Sequence, residues 1–543
     1  MIRLGPNNSI YSDVEDQTLA GYGLRWQQGA YRSNFSIPVL ERLLKAGYEV
    51  DKEALNYYNK EKMNIFPKRY FSSAGLKLPL LPFQEEGRDF ILKTGSCILA
   101  DQMGLGKTPT ALAACEFWGC KTLILTRAAL IDQWGSEIEK FTDSSYTLIQ
   151  SGRDRESAWK RAIHLPDHYV VASYDIMRSK SDLKYAYEYI KDDSTVIYDE
   201  ITMLKNASAK RSRAISLLKP RASIGLTGTP YENHLREYYQ IFNLVRPDLL
   251  PPYYIFEKMF MIVNERKIKT KNNRIITIKE VVKEINLDTL RKMLEPGMLR
   301  RERAIIEGLP KTSNIVHKAP MNKLQREIEG VIMDLAYDSP ELRLSCFTFG
   351  LENAISPAMI MPFINEYAAH LQEKAQSISP RLEEVGSIID EAAGLKIVIY
   401  SRYVKALGLI EKHVLNPRGI TPAYLTGQRD DIEEFKNSRS ILLMSGAGAY
   451  GLNLQDQAHL MILVDKPFNP AVLEQVKARI DRLGQKFPVQ YHEFSTDSEI
   501  ERRAYEIIGR KNITSSKLLA QEVFNEKHNS RGYAKGGPAQ NGS

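Results

Sequence analysis

Short apolar runs of β type alternate with helical stretches in two separate blocks of the chain, and this alternation constrains the fold most strongly. In the first block the runs are residues 97–100, 122–125, 169–172, 195–198 and 224–226. In the second block they are residues 396–400, 440–444, 460–464 and 489–494. Several runs are one strand and one helix apart, which is typical of parallel sheets with helices on both faces. We therefore predict an α/β chain with two parallel-sheet lobes.

The rest of the chain is arranged around these two blocks. Residues 1–76 are polar and rich in Tyr, with one helix predicted over Pro38–Ala46, whereas the region after Pro247 is irregular, helical and partly basic. The end of the chain is rich in Gly, Asn and Ser, a composition typical of disorder. The predicted domains are an N-terminal extension (1–76), lobe 1 (77–246), a helical and basic insert (247–380), lobe 2 (381–513) and a flexible tail (514–543).

Composition excludes several classes of protein. The chain has 543 residues, of which 43% are hydrophobic and 26% charged, so it is neither a wholly disordered chain nor a fibre. No apolar stretch reaches 18 residues and the N-terminus has no long apolar core, so we expect neither a membrane span nor secretion. The four cysteines show no CxxC pair, which favours a reducing compartment. The net charge of +8 permits nucleic acid as a partner without implying it.

A glycine-containing loop follows the first apolar run and precedes a helical stretch. It reads Asp-Gln-Met-Gly-Leu-Gly-Lys-Thr over residues 101–108. Small residues let backbone N–H groups surround a phosphate, and the start of the helix adds free N–H groups and a positive dipole end. Lys107 would reach the β- and γ-phosphates, and the Thr108 hydroxyl would bind Mg²⁺. The general pattern has Gly where this chain has Asp101, but an ordinary strand-to-helix turn is a poor alternative for GxGKT in this setting.

Two acidic residues end the apolar run at 195–198. In nucleotide hydrolases an Asp at the end of a strand holds Mg²⁺ and the following Glu polarises the attacking water, roles that Asp199 and Glu200 fit. By itself such a pair is most often a solvated turn. Together with the phosphate loop it predicts an ATP-hydrolysing site.

The order of these motifs resembles that of superfamily 2 helicases, and in particular the SWI/SNF-type translocases of double-stranded DNA. Residues 101–108 resemble the family's DEMGLGKT, Asp199–Thr202 stand where DEAH is usual, and residues 226–230 with Asn233 match LTGTPxxN. In the second half, the resemblance covers Leu299–Arg301, Lys396–Arg402, Ser445–Leu454 and the QxxxRxxRxGQ pattern from Gln475 to Gln485. It extends from about residue 78 to 513. The family implies two RecA-like lobes with ATP between them.

The resemblance assigns further roles to individual residues. Gln84 would contact the adenine, and Arg479 and Arg482 would be supplied across the cleft to neutralise the transferred phosphoryl group. Without the other motifs, we would interpret these two arginines as part of one solvated helix face, because residues three apart lie on the same side of a helix. The nucleotide-binding set is Gln84, Gly104, Leu105, Gly106, Lys107, Thr108, Gly451 and Gln475.

Nucleic-acid contacts in this family go mainly to phosphates and read no sequence. The residues that we expect to contact double-stranded DNA are Arg127, Lys205, Asn206, Arg211, Thr227, Arg402 and Tyr450. Lys210 and Arg213 are further candidates. The basic stretch Arg266–Arg274 is either a phosphate-gripping hairpin or a solvated surface hairpin, with equal weight.

The chain departs from the family pattern in places. Gln102 replaces Glu, Ile201–Thr202 replace Ala-His, Arg127 replaces Pro and Ala449 replaces Gly. The phosphate-binding and water-activating residues are retained. The His that often links two motif networks is missing, so how tightly DNA binding is coupled to hydrolysis is an open question at this stage.

Three functions are compatible with these features, and the GLGKT, LTGTP and RxxRxGQ motifs favour the first. The first is an ATP- and Mg²⁺-dependent motor that tracks along duplex DNA, the second a strand-separating DNA or RNA helicase, and the third a nucleotide-gated DNA clamp with little hydrolysis. Residues 1–76 could bind DNA, a protein partner or the first lobe. We expect a compact bacterial or viral member acting in the cytoplasm, or in the nucleus if the source is eukaryotic.

Overall fold

A computed structural model describes most of the chain. The described residues are 1–5, 9–14, 16, 18–19, 24–27, 29–34, 39–40, 43–44, 46–56, 76–152, 154–164, 169–191, 194–230, 235–269, 275–306, 310–376, 378–446 and 453–511. The chain forms two compact units, Met1–Ile305 and Ile306–Ser543. The helix predicted over Pro38–Ala46, the turn of the basic hairpin, Asn233 and the tail from 512 fall wholly or partly outside the described residues.

The first unit begins with a small antiparallel sheet. Its strands, in the spatial order β1-β2-β4-β3, are β1 (Arg3–Gly5), β2 (Ser9–Ser12), β3 (Arg25–Gln27) and β4 (Ala30–Asn34). One face of this sheet packs on its own apolar cluster, which includes Ile2, Ile10, Leu24 and Tyr31.

The main sheet of the first unit has seven strands, all paired in parallel. They are β5 (Cys97–Leu99), β6 (Lys121–Thr126), β7 (Tyr146–Ile149), β8 (Tyr169–Ser173), β9 (Ser194–Asp199), β10 (Ala222–Leu226) and β13 (Met298–Leu299). Their spatial order is β13-β5-β10-β9-β6-β8-β7. The five predicted strands of this block are confirmed, while β7 and the two-residue β13 were not predicted.

Helices cover both faces of this sheet, as the alternating pattern predicts. They are α1 (Pro82–Thr94), α2 (Lys107–Trp118), α3 (Ile131–Phe141), α4 (Arg155–His164), α5 (Lys180–Ile190), α6 (Lys210–Ile215), α7 (Leu235–Val245), α8 (Tyr253–Phe260) and α9 (Leu287–Leu294). Successive residues of one strand enter different cores: Val196 and Tyr198 pack in one cluster and Ile197 in the other. A strand buried on both faces in this way reads as a continuous apolar run.

The second unit contains a six-stranded sheet that is also parallel throughout. Its strands are β14 (Thr312–Lys318), β15 (Ile397–Tyr400), β16 (Ala423–Leu425), β17 (Ile441–Met444), β18 (Leu460–Leu463) and β19 (Val489–Ser495), in the spatial order β14-β19-β18-β15-β17-β16. Its helices are α10 (Lys323–Asp338), α11 (Arg343–Ile355), α12 (Met361–Tyr367), α13 (Pro380–Glu391), α14 (Val404–Ile410), α15 (Ile432–Asn437), α16 (Pro470–Lys477) and α17 (Glu499–Lys511). The second predicted lobe is thus confirmed as a parallel α/β sheet.

The segment predicted as an insert, 247–380, is divided between the two units. Its first part contains an antiparallel hairpin of β11 (Met261–Lys269) and β12 (Ile275–Glu284) and contributes β13 to the first sheet. Its second part contributes β14, paired with β19, to the second sheet. The segment therefore adds an edge strand to each lobe besides its helices. None of the described helices is long and apolar enough to cross a membrane.

Candidate nucleotide site

The predicted catalytic residues of the first unit meet at one edge of its sheet. Since all strands run in parallel, their carboxyl ends lie at the same edge, where ligands bind in open α/β sheets. The phosphate loop follows β5, Asp199 ends β9, and Thr227 follows β10, the strand between them. The sheet order therefore brings together motifs that are about a hundred residues apart in sequence.

The phosphate loop has the conformation that its glycines allow. Gly104 and Gly106 have φ angles of 84° and 75°, in the left-handed region that favours glycine. A Cβ at Gly106 would also lie 2.3 Å from Nε2 of Gln84. Lys107, at the start of α2, donates from Nζ to the carbonyl oxygens of Asp101 (2.7 Å) and Gln102 (3.3 Å). The lysine thus lies over its own loop, at the helix start where anions bind.

Asp101, the departure from the general phosphate-loop pattern, has a structural partner that the sequence did not indicate. Its carboxylate pairs with Arg301, with a distance of 2.5 Å from Nη2 to Oδ2 and 3.0 Å from Nε to Oδ1. Both side chains are buried, at 1% and 9% exposed. The Arg301 guanidinium also donates to the carbonyl of Phe83 in α1. This ion pair attaches the segment after β13 to the first residue of the loop.

Gln102, where the family usually has Glu, strengthens the same attachment. Its backbone N–H donates to the carbonyl of Arg301 at 2.9 Å, and its side-chain oxygen accepts from the N–H of Arg303 at 2.8 Å. The side chain of Gln102 therefore hydrogen-bonds to the backbone of the segment that follows β13.

Gln84, predicted to read the adenine, is buried beneath the loop. Its Nε2 donates to the carbonyl of Leu105 at 3.1 Å, and its Oε1 accepts from the N–H of Leu81 at 3.0 Å. Gln84 thus joins the start of α1 to the phosphate loop. Its contact with adenine stays a prediction.

Asp199 is positioned by two side chains from neighbouring elements. Its Oδ2 accepts hydrogen bonds from the Thr126 hydroxyl at 2.7 Å and from Nε1 of Trp134 at 2.8 Å. Among the described residues neither bond uses Oδ1, so this oxygen keeps its lone pairs for a metal ion. The sequence did not indicate Thr126 and Trp134, because their roles depend on β6 lying next to β9.

Glu200 has a strained backbone and a fixed carboxylate. Its φ of 51° is uncommon for a residue with a side chain, and such strain often marks functional sites. Its Oε1 accepts hydrogen bonds from the hydroxyls of Thr202 and Thr227, each at 2.9 Å. Burial raises the pKa of Glu200 and the charge of Asp199 raises it further, whereas Lys107 and the two hydroxyls lower it. A carboxylate with a raised pKa and a fixed orientation is suited to act as a general base.

The threonine contacts also change two sequence-based interpretations. Thr227, predicted to contact DNA, has a side chain only 1% exposed that faces Glu200 instead of the surface. The family's linking His is absent, but Glu200 itself connects the two motifs through Thr202 and Thr227. The missing His therefore does not disconnect them.

The other residues predicted to contact DNA in the first unit lie near this sheet edge. Arg127 follows Thr126 directly, Lys205 pairs with Glu237 at 3.3 Å, and Asn206 accepts hydrogen bonds from Ser208. Arg211 is half-buried on the short helix α6. Their contacts with DNA stay predictions.

In the second unit, the two predicted catalytic arginines lie just beyond α16. Because this helix ends at Lys477, the alternative of one solvated helix face is wrong. Arg479 donates from Nε to the carbonyl of Gln475 at 3.1 Å, and Arg482 donates to the side-chain oxygen of Asn453. Gln475 is buried at 5% exposed. Of the other predicted residues here, Gly451 and Tyr450 lie outside the described part of the chain.

Arg402, also predicted to contact DNA, is held inside the second unit. Its Nε lies 2.7 Å from Oδ2 of Asp465, a carboxylate 1% exposed, and its guanidinium lies 4.0 Å from the ring centre of Phe468. This arrangement is that of a structural ion pair between the ends of β15 and β18.

The residues of the first unit fit a nucleotide carried with magnesium. The glycine loop and Lys107 match the shape and charge of phosphates, and Asp199 with Thr108 offers the oxygen ligands that Mg²⁺ prefers. Across the described residues, no group of three or more His, Cys, Asp or Glu side chains is placed to hold a metal by itself.

Comparison with protein families identifies the chain. The model of the SNF2-related domain matches residues 24–331, more than half of the chain, and that of the helicase conserved C-terminal domain matches residues 380–484. The chain belongs to the SNF2-related family. The SWI/SNF-type resemblance and the prediction of two RecA-like lobes are thereby confirmed.

Members of the SNF2-related family in plants, fungi and mammals are similar along most of this chain. The ATP-dependent DNA helicase DDM1 of Arabidopsis thaliana is 25% identical over 481 residues, 79% of this chain and 60% of the relative. The DNA repair and recombination proteins RDH54 of Saccharomyces cerevisiae and RAD54B of Homo sapiens are 26% and 28% identical, with 52% and 53% of their lengths covered. The chain thus spans half to three fifths of the length of these curated relatives.

The Sulfolobus solfataricus SWI2/SNF2 ATPase core in complex with dsDNA is 20% identical, with a TM-score of 0.38 over 85% of this chain and 97% of that chain.

Proposed function

We propose that this protein is an ATP-dependent DNA translocase, which hydrolyses ATP to ADP and phosphate while it moves along duplex DNA. The observation that carries the proposal is the convergence of the phosphate loop, Asp199 and Glu200 at one edge of the first sheet. Family membership and the similarity to DDM1, an ATP-dependent DNA helicase, support the choice of ATP and DNA.

The first unit supplies binding and water activation in this proposal. Lys107 exchanges the loop carbonyls of Asp101 and Gln102 for phosphate oxygens, and the N–H groups at the start of α2 bind the same phosphates. Asp199 and Thr108 hold the magnesium ion, which neutralises charge on the phosphates when bound. Glu200 accepts the proton of the attacking water on Oε2, while the hydroxyls of Thr202 and Thr227 hold its Oε1 in place.

The second unit supplies positive charge to the transferred phosphoryl group. We assign this role to Arg479 and Arg482, which lie in turns after α16. An arginine of this kind acts only when the two units close on one nucleotide, so hydrolysis and movement are linked. DNA is held by phosphate contacts without sequence preference, from Arg127, Lys205, Asn206 and Arg211.

The first test is ATP turnover measured with duplex, forked, single-stranded and RNA ligands. The proposal expects duplex DNA to stimulate turnover most, and Lys107→Ala or Glu200→Gln to abolish most of that stimulation. Equal turnover in both variants and the unchanged protein would defeat the site assignment. An ATPase rate that stays negligible with every ligand would favour the nucleotide-gated clamp.

A second test separates translocation from strand separation. A motor that tracks along duplex DNA displaces the third strand of a triplex without unwinding a forked duplex. Unwinding of the fork without triplex displacement would support the helicase alternative, which the similarity to DDM1, an ATP-dependent DNA helicase, keeps open.

The location and partners of the protein are also proposals. We propose that it acts where duplex DNA is found, in bacterial or virus-infected cytoplasm or in a eukaryotic nucleus, which imaging of the tagged chain tests. A protein partner bound through residues 1–76 would be detected by losing that partner when these residues are deleted.

A further inference from the structure

The N-terminal sheet carries three arginines and one tyrosine in a line across its four strands. The strand register places Arg3 opposite Tyr11, Tyr11 opposite Arg32, and Arg32 opposite Arg25. Directly opposed residues of neighbouring strands point to the same face of a sheet. These four side chains, here called the arginine row, therefore line one face from edge to edge.

The two faces of this sheet differ sharply in character. The face opposite the arginine row carries Ile10, fully buried, and Tyr31, 7% exposed, in the apolar cluster. On the row's face, Arg25 is exposed and the Arg3 side chain is 43% exposed. Residues 1–56 contain six Lys or Arg and seven Asp or Glu, so the row is a local concentration of charge.

Arg32, in the middle of the row, has a hydrogen-bond donor that is not satisfied among the described residues. Its Nε is buried and has no partner among the described residues. Its guanidinium carbon lies 5.9 Å from the centre of the Tyr11 ring. The two side chains line a cavity of about 520 Å³ together with Leu4, Gly5 and Glu53. A buried donor without an acceptor is costly, and an anion beside it would remove that cost.

Two carboxylates lie near the row and do not neutralise it. Asp13 pairs with Arg3 at 3.1 Å, but both side chains are about half exposed, and such pairs contribute little. Glu53 lines the cavity without an ion pair to Arg32 in the described part of the chain.

We propose that the arginine row binds the phosphates of a nucleic acid, as a second contact separate from the motor's own track. Neighbouring strands are about 4.8 Å apart, so four strands span about 14 Å. Duplex DNA carries one charge per roughly 1.7 Å of its axis when both strands are counted, so a length of duplex equal to the row carries about eight phosphate charges. The arginine fork matches phosphate geometry, and Tyr11 offers a ring for stacking on an unpaired base.

An acidic protein is the alternative occupant and fits less well. Protein interfaces depend on large apolar or aromatic anchors at their centre. The row offers only Tyr11, whereas the exposed Trp26 pairs in register with Tyr31 on the opposite face. This inference goes beyond the proposed motor function, because it concerns binding outside the nucleotide site.

The test is binding of a labelled duplex to the full chain, measured by fluorescence anisotropy between about 50 and 200 mM salt. The row variant Arg3→Gln, Arg25→Gln, Arg32→Gln is compared with the control Lys160→Gln, Arg161→Gln, Lys184→Gln. The control removes the same charge from exposed positions of α4 and α5. We expect the row variant to bind about tenfold more weakly and to lose about two to three units of the salt slope, and the control to lose less than one.

Two further measurements keep the result decisive. The single substitution Arg25→Gln, at an exposed position, shows a smaller loss in the same direction if the triple variant is poorly folded. Equal affinity and slope in the row variant and the control would overturn the proposal. So would loss of poly-glutamate binding with unchanged DNA binding, which would assign the row to an acidic protein. Because the readout is binding, it is independent of whether duplex DNA stimulates ATP turnover.

Discussion

At the residue scale, Asp101 and Arg301 depend on each other because both are buried beside the phosphate loop. Replacing Arg301 by Met leaves the carboxylate of Asp101 without its countercharge. Breaking a buried pair in this way typically costs 3–5 kcal/mol, so we expect about that loss in the free energy of unfolding of the first unit. Urea denaturation followed by tryptophan fluorescence measures it.

A double-mutant cycle distinguishes the ion pair from simple packing. Asp101→Asn combined with Arg301→Met removes both charges, so its cost should be well below the sum of the two single costs. Strictly additive costs would mean that the two side chains do not stabilise each other.

A substitution of Arg402 distinguishes a structural role for this residue from a DNA-binding one. Its charge lies against Asp465 at the ends of β15 and β18, and the Ser401 hydroxyl donates to the same carboxylate at 2.5 Å. We expect Arg402→Gln to reduce the unfolding free energy of the second unit by about 3 kcal/mol and to leave the salt slope of DNA binding unchanged. Unchanged stability with a smaller slope would instead restore the original DNA-contact prediction.

At the element scale, β14, β19 and α13 bring two histidines and a carboxylate together. His317 lies 2.7 Å from Glu384 through Nδ1 and 2.9 Å from Nδ1 of His492 through Nε2. Burial, and to a smaller extent the neighbouring His317, lower the pKa of His492 to about 4. The folded unit therefore keeps His492 neutral at pH values where the unfolded chain protonates it.

The lowered pKa of His492 determines how the stability of the second unit changes with pH. Between the ordinary histidine pKa of about 6.5 and the folded value, the unfolded chain binds the additional proton, so stability falls as the pH falls. We expect His492→Gln to remove this part of the decline in unfolding midpoint between about pH 6.5 and pH 4. A decline of the same size in both proteins would show that His492 is not its source.

Strands with apolar side chains on both faces could be predicted, whereas the edge strands could not. The run at 195–198 becomes β9, because Val196, Ile197 and Tyr198 alternate between two cores. In contrast, β14 is almost wholly exposed and β13 has two residues, so neither leaves an apolar run. The helical prediction for their segment missed both strands for this reason.

The same limit applies to the site. Lys107, Asp199 and Glu200 follow from local motifs, because each stands next to its strand or helix. Arg301 lies 200 residues from Asp101, and Thr126 reaches Asp199 only through the order of strands. Such contacts cannot be predicted from the spacing of residues in the sequence.

At the scale of the whole molecule, the chain consists of two parallel α/β units of one family, each carrying part of the proposed chemistry. The first unit holds the phosphate loop and Glu200, the proposed general base, and the second holds Arg479 and Arg482. The proposed hydrolysis requires that one ATP uses residues from both units.

The most direct measurement is duplex-stimulated ATP turnover of the double variant Arg479→Gln, Arg482→Gln, with ATP binding measured in parallel. An arginine that stabilises the transferred phosphoryl group contributes about 10³-fold or more to turnover, so we expect a loss of that size with ATP affinity nearly unchanged. Turnover equal to that of the unchanged protein would contradict the account, because the second unit would then contribute nothing to hydrolysis.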